Sequence, residues 1–180
     1  TTGGGGMILT DEKKLAEKAR YLTTQAKDDP VKYVHNEIGY NFRLTNIQAA
    51  LGLAQLEQLP VYLKRNKEIN NMYTSKINNM SGLKISTVPD YASNNHWLNI
   101  LKIDSRIYGK TNLELLTYLE TKGIQTRPVW QLNHIQKPYL KNNHYKIDNS
   151  VKLHSNSLCL PSSTHLSEGD IDRIVGEISE

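Results

Sequence analysis

The chain has its most informative stretch at Gly39-Tyr40-Asn41-Phe42-Arg43-Leu44-Thr45-Asn46-Ile47-Gln48-Ala49-Ala50-Leu51-Gly52, where a polar loop passes into an apolar helix. Asn41 and Arg43, which can both hold anions, directly precede the cap-like Thr45. A helix N-terminus favours negative charge, because its first backbone N–H groups lack partners inside the helix and the helix dipole is positive there. The stretch therefore predicts an anion site, although an ordinary loop entering an ordinary helix remains an open alternative.

Composition places the chain among soluble globular proteins. It has 180 residues, of which 38% are hydrophobic and 22% are charged. No run approaches the roughly 18 apolar residues that a membrane span needs, and the first residues lack the charged region of a signal peptide. The single cysteine, Cys159, excludes an internal disulfide and fits a reducing cytoplasm. We therefore expect a cytoplasmic protein that does not bind membranes.

The net charge of +4 comes from scattered Lys and Arg residues. Nucleic-acid binding usually requires a dense basic face, so we expect no nucleic-acid partner and keep a basic nucleic-acid binder only as a distant alternative.

Helical patterns dominate the first part of the chain. Thr10 has the position of an N-cap for a helix to about Gln25, and a long helix is expected from Thr45. Pro60 should kink or break that helix, and helical spacing resumes over residues 61–78. The four glycines of residues 3–6 permit a tight turn or a close approach of backbone.

The pattern changes after Gly82. Alternating residues predict strands at 83–85 and 96–103, a helix capped by Thr111 follows, and a third strand ends at Pro128. Residues 129–149 have a loop-like composition, residues 151–158 favour a helix, residues 160–163 an extended exit, and Ser167 begins a final amphipathic helix. This order predicts an α+β fold with helices followed by a small, mostly antiparallel sheet. Pro60 and Gly82 are the candidate domain boundaries.

Several site types find no support in the motifs. His134, His144, His154 and His165 lack the H-x-x-x-H spacing that places two metal ligands on one helix face, so we expect no metal site. The chain also lacks the G-x-S-x-G elbow of serine hydrolases and the glycine-rich loops that bind nucleotide phosphates.

The stretch Arg127-Pro128-Val129-Trp130-Gln131-Leu132-Asn133-His134 is more suggestive. An arginine at the end of a strand, followed by an aromatic residue and a histidine, can line a pocket for a phosphorylated or sugar-like ligand. The alternative is a structural proline turn in which Trp130 fills the core.

Four segments together resemble the C-terminal half of the DegT/DnrJ/EryC1/StrS sugar aminotransferases. These segments are Thr1-Thr2-Gly3 with Met7-Ile8, Gly39–Arg43 with Ile47–Gly52, Gly123-Ile124 with Arg127-Pro128 and His134, and Leu160-Pro161-Ser162 with Leu166-Ser167. Members of this family are pyridoxal 5'-phosphate (PLP) enzymes of the aspartate-aminotransferase fold (fold type I). The Arg127-Pro128-Val129-Trp130 variant is most similar to members that make 4-amino-4,6-dideoxy sugars for bacillosamine- or legionaminate-type glycans.

The resemblance implies roles for particular residues. Residues 1–80 would be the end of the large PLP domain with connecting long helices, and residues 81–180 the small C-terminal α+β domain. Asn41 would reach across a homodimer interface to the PLP phosphate of the neighbouring subunit, and Arg43 would contact the substrate in that shared site. Arg127 and His134 would belong to the wall facing the nucleotide sugar.

The same resemblance implies features that these residues do not supply. The lysine that forms the Schiff base would lie just upstream of Thr1, and Lys13 and Lys14 have the pattern of solvated helix residues. The aspartate for the pyridine nitrogen, the aromatic stacked on the ring and the main phosphate-binding serine are also not found here. We expect a downstream piece of a longer polypeptide, inactive by itself. Gly4 replaces a glutamate common in the family, which should alter packing more than chemistry.

The implied reaction is the amination of a nucleotide-linked 4-keto-6-deoxy sugar, with glutamate as donor, for polysaccharide biosynthesis. Two alternatives stay open. Some family members dehydrate the sugar and carry histidine in place of the lysine, and the chain could also be a non-catalytic dimerisation fragment.

Overall fold

A computed structural model describes all of residues 1–180, which form two compact units. The first unit is Thr1–Pro60 and the second is Val61–Glu180. This division falls at Pro60 rather than near Gly82, and the assignment of residues 1–80 and 81–180 to a large and a small domain remains a prediction. None of the helices combines the length and apolar character needed to cross a membrane.

The first helix, α1, spans Lys13–Thr23 and has Glu12 as its N-cap. The prediction that Thr10 is the cap is wrong, because the Thr10 hydroxyl instead accepts a hydrogen bond from the Glu12 backbone N–H at 3.1 Å. The helix also ends before the expected Gln25. Gln25 and Ala26 have φ angles of 74° and 48°, a left-handed conformation that cannot continue a right-handed helix.

The long helix α2 spans Asn46–Ile77 and has Thr45 as its predicted cap, in a reciprocal capping box with Gln48. The Gln48 backbone N–H donates to the Thr45 hydroxyl at 3.2 Å, and the Thr45 backbone N–H donates to the Gln48 side-chain oxygen at 3.2 Å. The helix is not broken at Pro60. Proline removes one N–H donor, and the remaining hydrogen bonds of this 32-residue helix continue on both sides of it.

The second unit is built around a four-stranded antiparallel sheet with the order β1-β2-β4-β3. The strands are β1 (Leu83–Ile85), β2 (Asn99–Ile103), β3 (Arg127–Pro128) and β4 (Ser157–Leu160). The helices of this part are α3 (Ser105–Tyr108), α4 (Asn112–Thr121), α5 (Asp148–Ser155) and α6 (Glu168–Ser179), with short 3₁₀ helices at Asn133–Ile135 and Lys137–Tyr139. This confirms the predicted α+β class.

One face of the sheet and the helices packed on it form the hydrophobic core. Alternation along the strands turns Leu83 and Ile85 inward and leaves Lys84 exposed between them. The second-unit part of α2 also contributes to this core, as do α4 and α6. The apolar side chains of the amphipathic helix α6 are all buried: Ile171, Ile174, Val175 and Ile178.

The helices α4 and α6 begin with the predicted caps Thr111 and Ser167. The Glu114 backbone N–H donates to the Thr111 hydroxyl at 3.2 Å, and the Asp170 backbone N–H donates to the Ser167 hydroxyl at 3.1 Å. The predicted helix at residues 151–158 is partly wrong. Leu158 lies in the strand β4 rather than in a helix, because it pairs with Leu101 of β2. Its side chain is fully buried.

Candidate functional site

The loop before α2 is held against the end of α1 by backbone hydrogen bonds. The Tyr40 N–H donates to the Leu22 carbonyl at 2.8 Å and the Phe42 N–H donates to the Thr23 carbonyl at 3.0 Å. Asn41 forms an isolated antiparallel bridge with Thr24. Residues 40–42 therefore run as a short extended segment, in which neighbouring side chains point to opposite sides.

This arrangement puts Asn41 and Arg43 on one side of the segment and two aromatic rings on the other. The rings of Tyr40 and Phe42 stack, with their centroids 5.3 Å apart and an interplanar angle of 11°. The Asn41 side-chain oxygen accepts a hydrogen bond from the Arg43 backbone N–H at 3.4 Å. The amide NH₂ of Asn41 and the guanidinium of Arg43 form no hydrogen bond or ion pair, so these donors face solvent.

Gly39 allows this placement. A Cβ atom at Gly39 would lie 2.4 Å from the Ala26 nitrogen and 2.6 Å from the Gln25 carbonyl carbon. Both contacts are with backbone, so no side chain can rotate away to make room. Only glycine lets the segment approach the left-handed turn at Gln25 and Ala26 this closely.

The glycine-rich segment at residues 3–6 lies along the beginning of α2. A Cβ atom at Gly5 would lie 3.0 Å from the Leu44 side chain, and one at Gly52 would lie 3.0 Å from the Thr2 side chain. Gly4 and Gly5 approach the side chains of Gln48 and Leu44, whereas a Cβ atom at Gly3 or Gly6 would meet no atom within 4 Å, and these contacts place residues 1–6 next to the helix start that follows Arg43.

Arg127 lies in the second unit, where it pairs with Cys159 in the register of β3 and β4. Its side chain is exposed and lines a cavity of about 250 Å³ together with Trp97, Trp130 and Ser162. The two indole rings meet edge to face, with centroids 5.7 Å apart and an interplanar angle of 64°. Trp130 is 68% exposed, so the alternative in which it fills the core is wrong.

His134 lines a different cavity. It belongs to the first 3₁₀ helix and stacks on His144 with the ring centroids 5.5 Å apart, beside a cavity of about 430 Å³. Arg127 is not among the residues around that cavity. The structure gathers no group of three or more side chains able to hold a metal ion. The roles of Arg127 and His134 toward a substrate remain predictions.

Sequence reasoning missed two side chains beside Arg127, namely Trp97 and Cys159. Burial raises the pKa of the Cys159 thiol, which keeps it protonated and unreactive. Burial also lowers the pKa of His96, with a smaller contribution from the charge of Lys67. Burial and the charge of Lys67 therefore disfavour a positive charge on His96, which directly precedes Trp97. The register of β3 on β4 brings Cys159 to Arg127, and the contact of Trp97 with Trp130 brings Trp97 there; local patterns reveal neither.

The fold defines the C-terminal part of a fold-type I aminotransferase subunit, since solved sugar aminotransferases superpose on almost all of it. The aminotransferase TlmJ from Streptoalloteichus hindustanus matches 99% of this chain and 47% of its own length, with a TM-score of 0.86 and 22% identity. DesI, crystallised in the presence of its TDP-sugar product, matches 95% of this chain and 43% of its own, with a TM-score of 0.81 and 25% identity.

Sequence comparison identifies the family. The model of the DegT/DnrJ/EryC1/StrS aminotransferase family matches residues 1–179, so the chain belongs to this family. It is 33% identical over 181 residues to the putative pyridoxal phosphate-dependent aminotransferase EpsN of Bacillus subtilis, and 33% identical over 184 residues to a GDP-perosamine synthase of Caulobacter vibrioides. The alignments cover 97% and 100% of this chain but 45% and 48% of these relatives. The chain thus spans about half the length of the curated relatives it matches.

Proposed function

We propose that the protein containing these residues aminates a nucleotide-linked 4-keto-6-deoxy sugar with PLP as cofactor and glutamate as amino donor. The observation that carries this proposal is the family match over residues 1–179. GDP-perosamine synthases among the relatives and the TDP-sugar product of DesI support a nucleotide sugar as substrate. The proposed place of action is the cytoplasm, which the free thiol of Cys159 supports.

The residues before α2 fit the phosphate end of PLP. When bound, PLP supplies an electron sink for the carbanion chemistry of transamination. Asn41 offers an amide NH₂ without a protein partner, and an amide donor can bond a phosphate oxygen without adding charge. In the proposed homodimer this amide reaches the cofactor of the neighbouring subunit and orients its phosphate.

The two arginines would bind the anionic parts of the substrate. A guanidinium presents several N–H donors in a fixed plane and pairs bidentately with a phosphate or carboxylate. Neither Arg43 nor Arg127 is engaged in an ion pair of the chain, so both donor sets are available. We assign Arg43 to the substrate side of the shared site, and Arg127 with His134 to the wall that faces the nucleotide sugar.

The exposed apolar side chains of the first unit support a homodimer with shared active sites. Ile47, Leu53 and Leu56 on α2 are 82%, 60% and 64% exposed in the chain by itself. Several large apolar side chains exposed on one helix are typical of an element that other protein surface covers. A second copy seated there would place its cofactor near Asn41.

Product analysis of the full-length protein tests the proposed reaction. The purified protein is saturated with PLP and incubated with glutamate and the GDP-, UDP- or TDP-linked 4-keto-6-deoxy sugar. The proposal predicts that mass spectrometry finds the carbonyl replaced by an amine. A product that has lost a hydroxyl without gaining nitrogen would establish the dehydratase alternative, and no conversion of any of these sugars would contradict the proposal.

Affinity for PLP tests the assignment of Asn41. Asn41→Ala removes the amide donor, and we expect weaker PLP binding by about tenfold, the loss of one hydrogen bond to a charged group. Asn71→Ala is the matched control, because Asn71 is an exposed residue of α2 in the second unit. Equal PLP affinities of the two variants would remove Asn41 from the cofactor site.

A further inference from the structure

The outer face of the sheet, opposite the core, carries two lysines in direct register. Lys84 on β1 pairs with Lys102 on β2, and Lys102 pairs with Ser157 on β4. Directly opposed residues of antiparallel strands have their Cβ atoms about 5 Å apart on the same face. The two lysine side chains therefore leave the same face of the sheet from neighbouring positions, and like charges directly opposite each other destabilise a sheet.

No carboxylate compensates these charges. The ion pairs of the chain include neither of the two lysines, nor Lys152 from α5. The nearby carboxylate of Asp104 is engaged by Arg106, whose Nε lies 3.4 Å from Oδ1 and whose backbone N–H also donates to Oδ1 at 3.2 Å.

One cavity of about 810 Å³, a volume typical of small-molecule sites, is lined by these five charged residues: Lys84, Lys102, Asp104, Arg106 and Lys152. Four basic side chains and a single carboxylate line it. Ser157 also lines the cavity, and it is fully buried while its hydroxyl has no hydrogen-bond partner. A buried hydroxyl without a partner is uncommon in native structures and indicates a missing acceptor.

We propose that this cavity binds a phosphate-bearing small molecule between Lys84, Lys102 and Lys152. A phosphate monoester carries a charge of about −1.5 to −2 and three acceptor oxygens, which matches several ammonium groups and one hydroxyl donor. Bound phosphate relieves the repulsion between the paired lysines and accepts the hydrogen bond of Ser157. A monovalent carboxylate would leave most of the positive charge of the cavity uncompensated.

Inorganic pyrophosphate is the probe for this site, added to the full-length protein after saturation with PLP. Amide hydrogen exchange, read by mass spectrometry, should show protection of residues 82–86, 99–106 and 149–157 that saturates with pyrophosphate concentration. Lys102→Gln should raise the pyrophosphate concentration for half-maximal protection at least tenfold. Ser157→Ala should raise this concentration severalfold. Lys141→Gln, at an exposed lysine outside the cavity, is the control and should leave it unchanged.

Thermal unfolding without pyrophosphate separates binding from folding. Lys102→Gln removes like-charge repulsion and Ser157→Ala removes an unpaired buried hydroxyl, so neither variant should melt below the wild type. The proposal is overturned if pyrophosphate fails to protect these three segments. It is equally overturned if Lys141→Gln weakens protection as much as Lys102→Gln does.

Discussion

Replacing Gly39 with alanine should destabilise the loop that carries Asn41. The added Cβ would lie 2.4 Å from the Ala26 nitrogen, about 1 Å inside the 3.4 Å at which ordinary contact begins. Because the atoms in the way belong to backbone, the segment from Gly39 to Phe42 must move away from the end of α1.

Three contributions determine how much Gly39→Ala changes the free energy of unfolding. Overpacking of this kind costs about 1–3 kcal/mol. Weakening the hydrogen bonds that join Tyr40 and Phe42 to Leu22, Thr23 and Gln25 costs about 1 kcal/mol more. The lower entropy of the unfolded alanine chain returns about 0.4–1 kcal/mol. We therefore expect Gly39→Ala to lower the free energy of unfolding by about 1–3 kcal/mol.

Urea unfolding of the full-length protein measures this change, and a PLP titration measures its consequence at Asn41. If the movement of Asn41 away from the cofactor phosphate reduces the binding free energy of PLP by about 1.4 kcal/mol, PLP binds about tenfold more weakly. Gly6→Ala is the matched control in the same unit, because a Cβ there meets no atom within 4 Å. Equal stability of Gly39→Ala and Gly6→Ala would refute the close backbone approach.

Three further predictions concern the second unit. Arg127→Lys keeps the charge but loses the planar donor pair, so KM for the nucleotide sugar should rise about tenfold with little change in kcat, and steady-state kinetics check this. Leu119→Ala empties a fully buried core position and should lower the free energy of unfolding by about 2–5 kcal/mol in urea denaturation. The hydrogen bond from the Thr111 backbone N–H lowers the pKa of Glu114 in its capping box. The ionised Glu114 side chain therefore stabilises the fold fully above the unfolded-state pKa of about 4.3, and this stabilisation is lost as the pH falls through the lower pKa of the folded state. Glu114→Gln should make the free energy of unfolding less dependent on pH below about pH 4.3, which acid titrations measure.

The α+β class, the sheet and most helix starts follow from local patterns, because caps and alternation act over a few residues. Thr45, Thr111 and Ser167 each begin a helix through side-chain hydrogen bonds that short sequence motifs encode. The end of α1 could not be predicted in this way. It depends on the left-handed turn at Gln25 and Ala26, where the Gln25 N–H donates to the Tyr40 carbonyl at 3.1 Å and Gly39 permits the close approach of the backbone.

The candidate site also combines features that local sequence predicts with features that depend on tertiary contacts. Asn41 and Arg43 are found from the motif that surrounds them, and the structure adds that their donors have no partners. Neither the pairing of Lys84 with Lys102 nor the meeting of Trp97 with Trp130 can be predicted from local sequence. Both depend on strand register, which is set by residues far apart in the chain.

Transfer of labelled nitrogen is the most direct measurement of the proposed reaction. The full-length protein with PLP is supplied with ¹⁵N-glutamate and a nucleotide-linked 4-keto-6-deoxy sugar, and the sugar product is analysed by mass spectrometry. We predict that the label appears in an amino group at the former carbonyl carbon and that the product does not form without PLP. A sugar that is consumed without acquiring the label, or acquires it equally without PLP, would contradict the proposed aminotransferase.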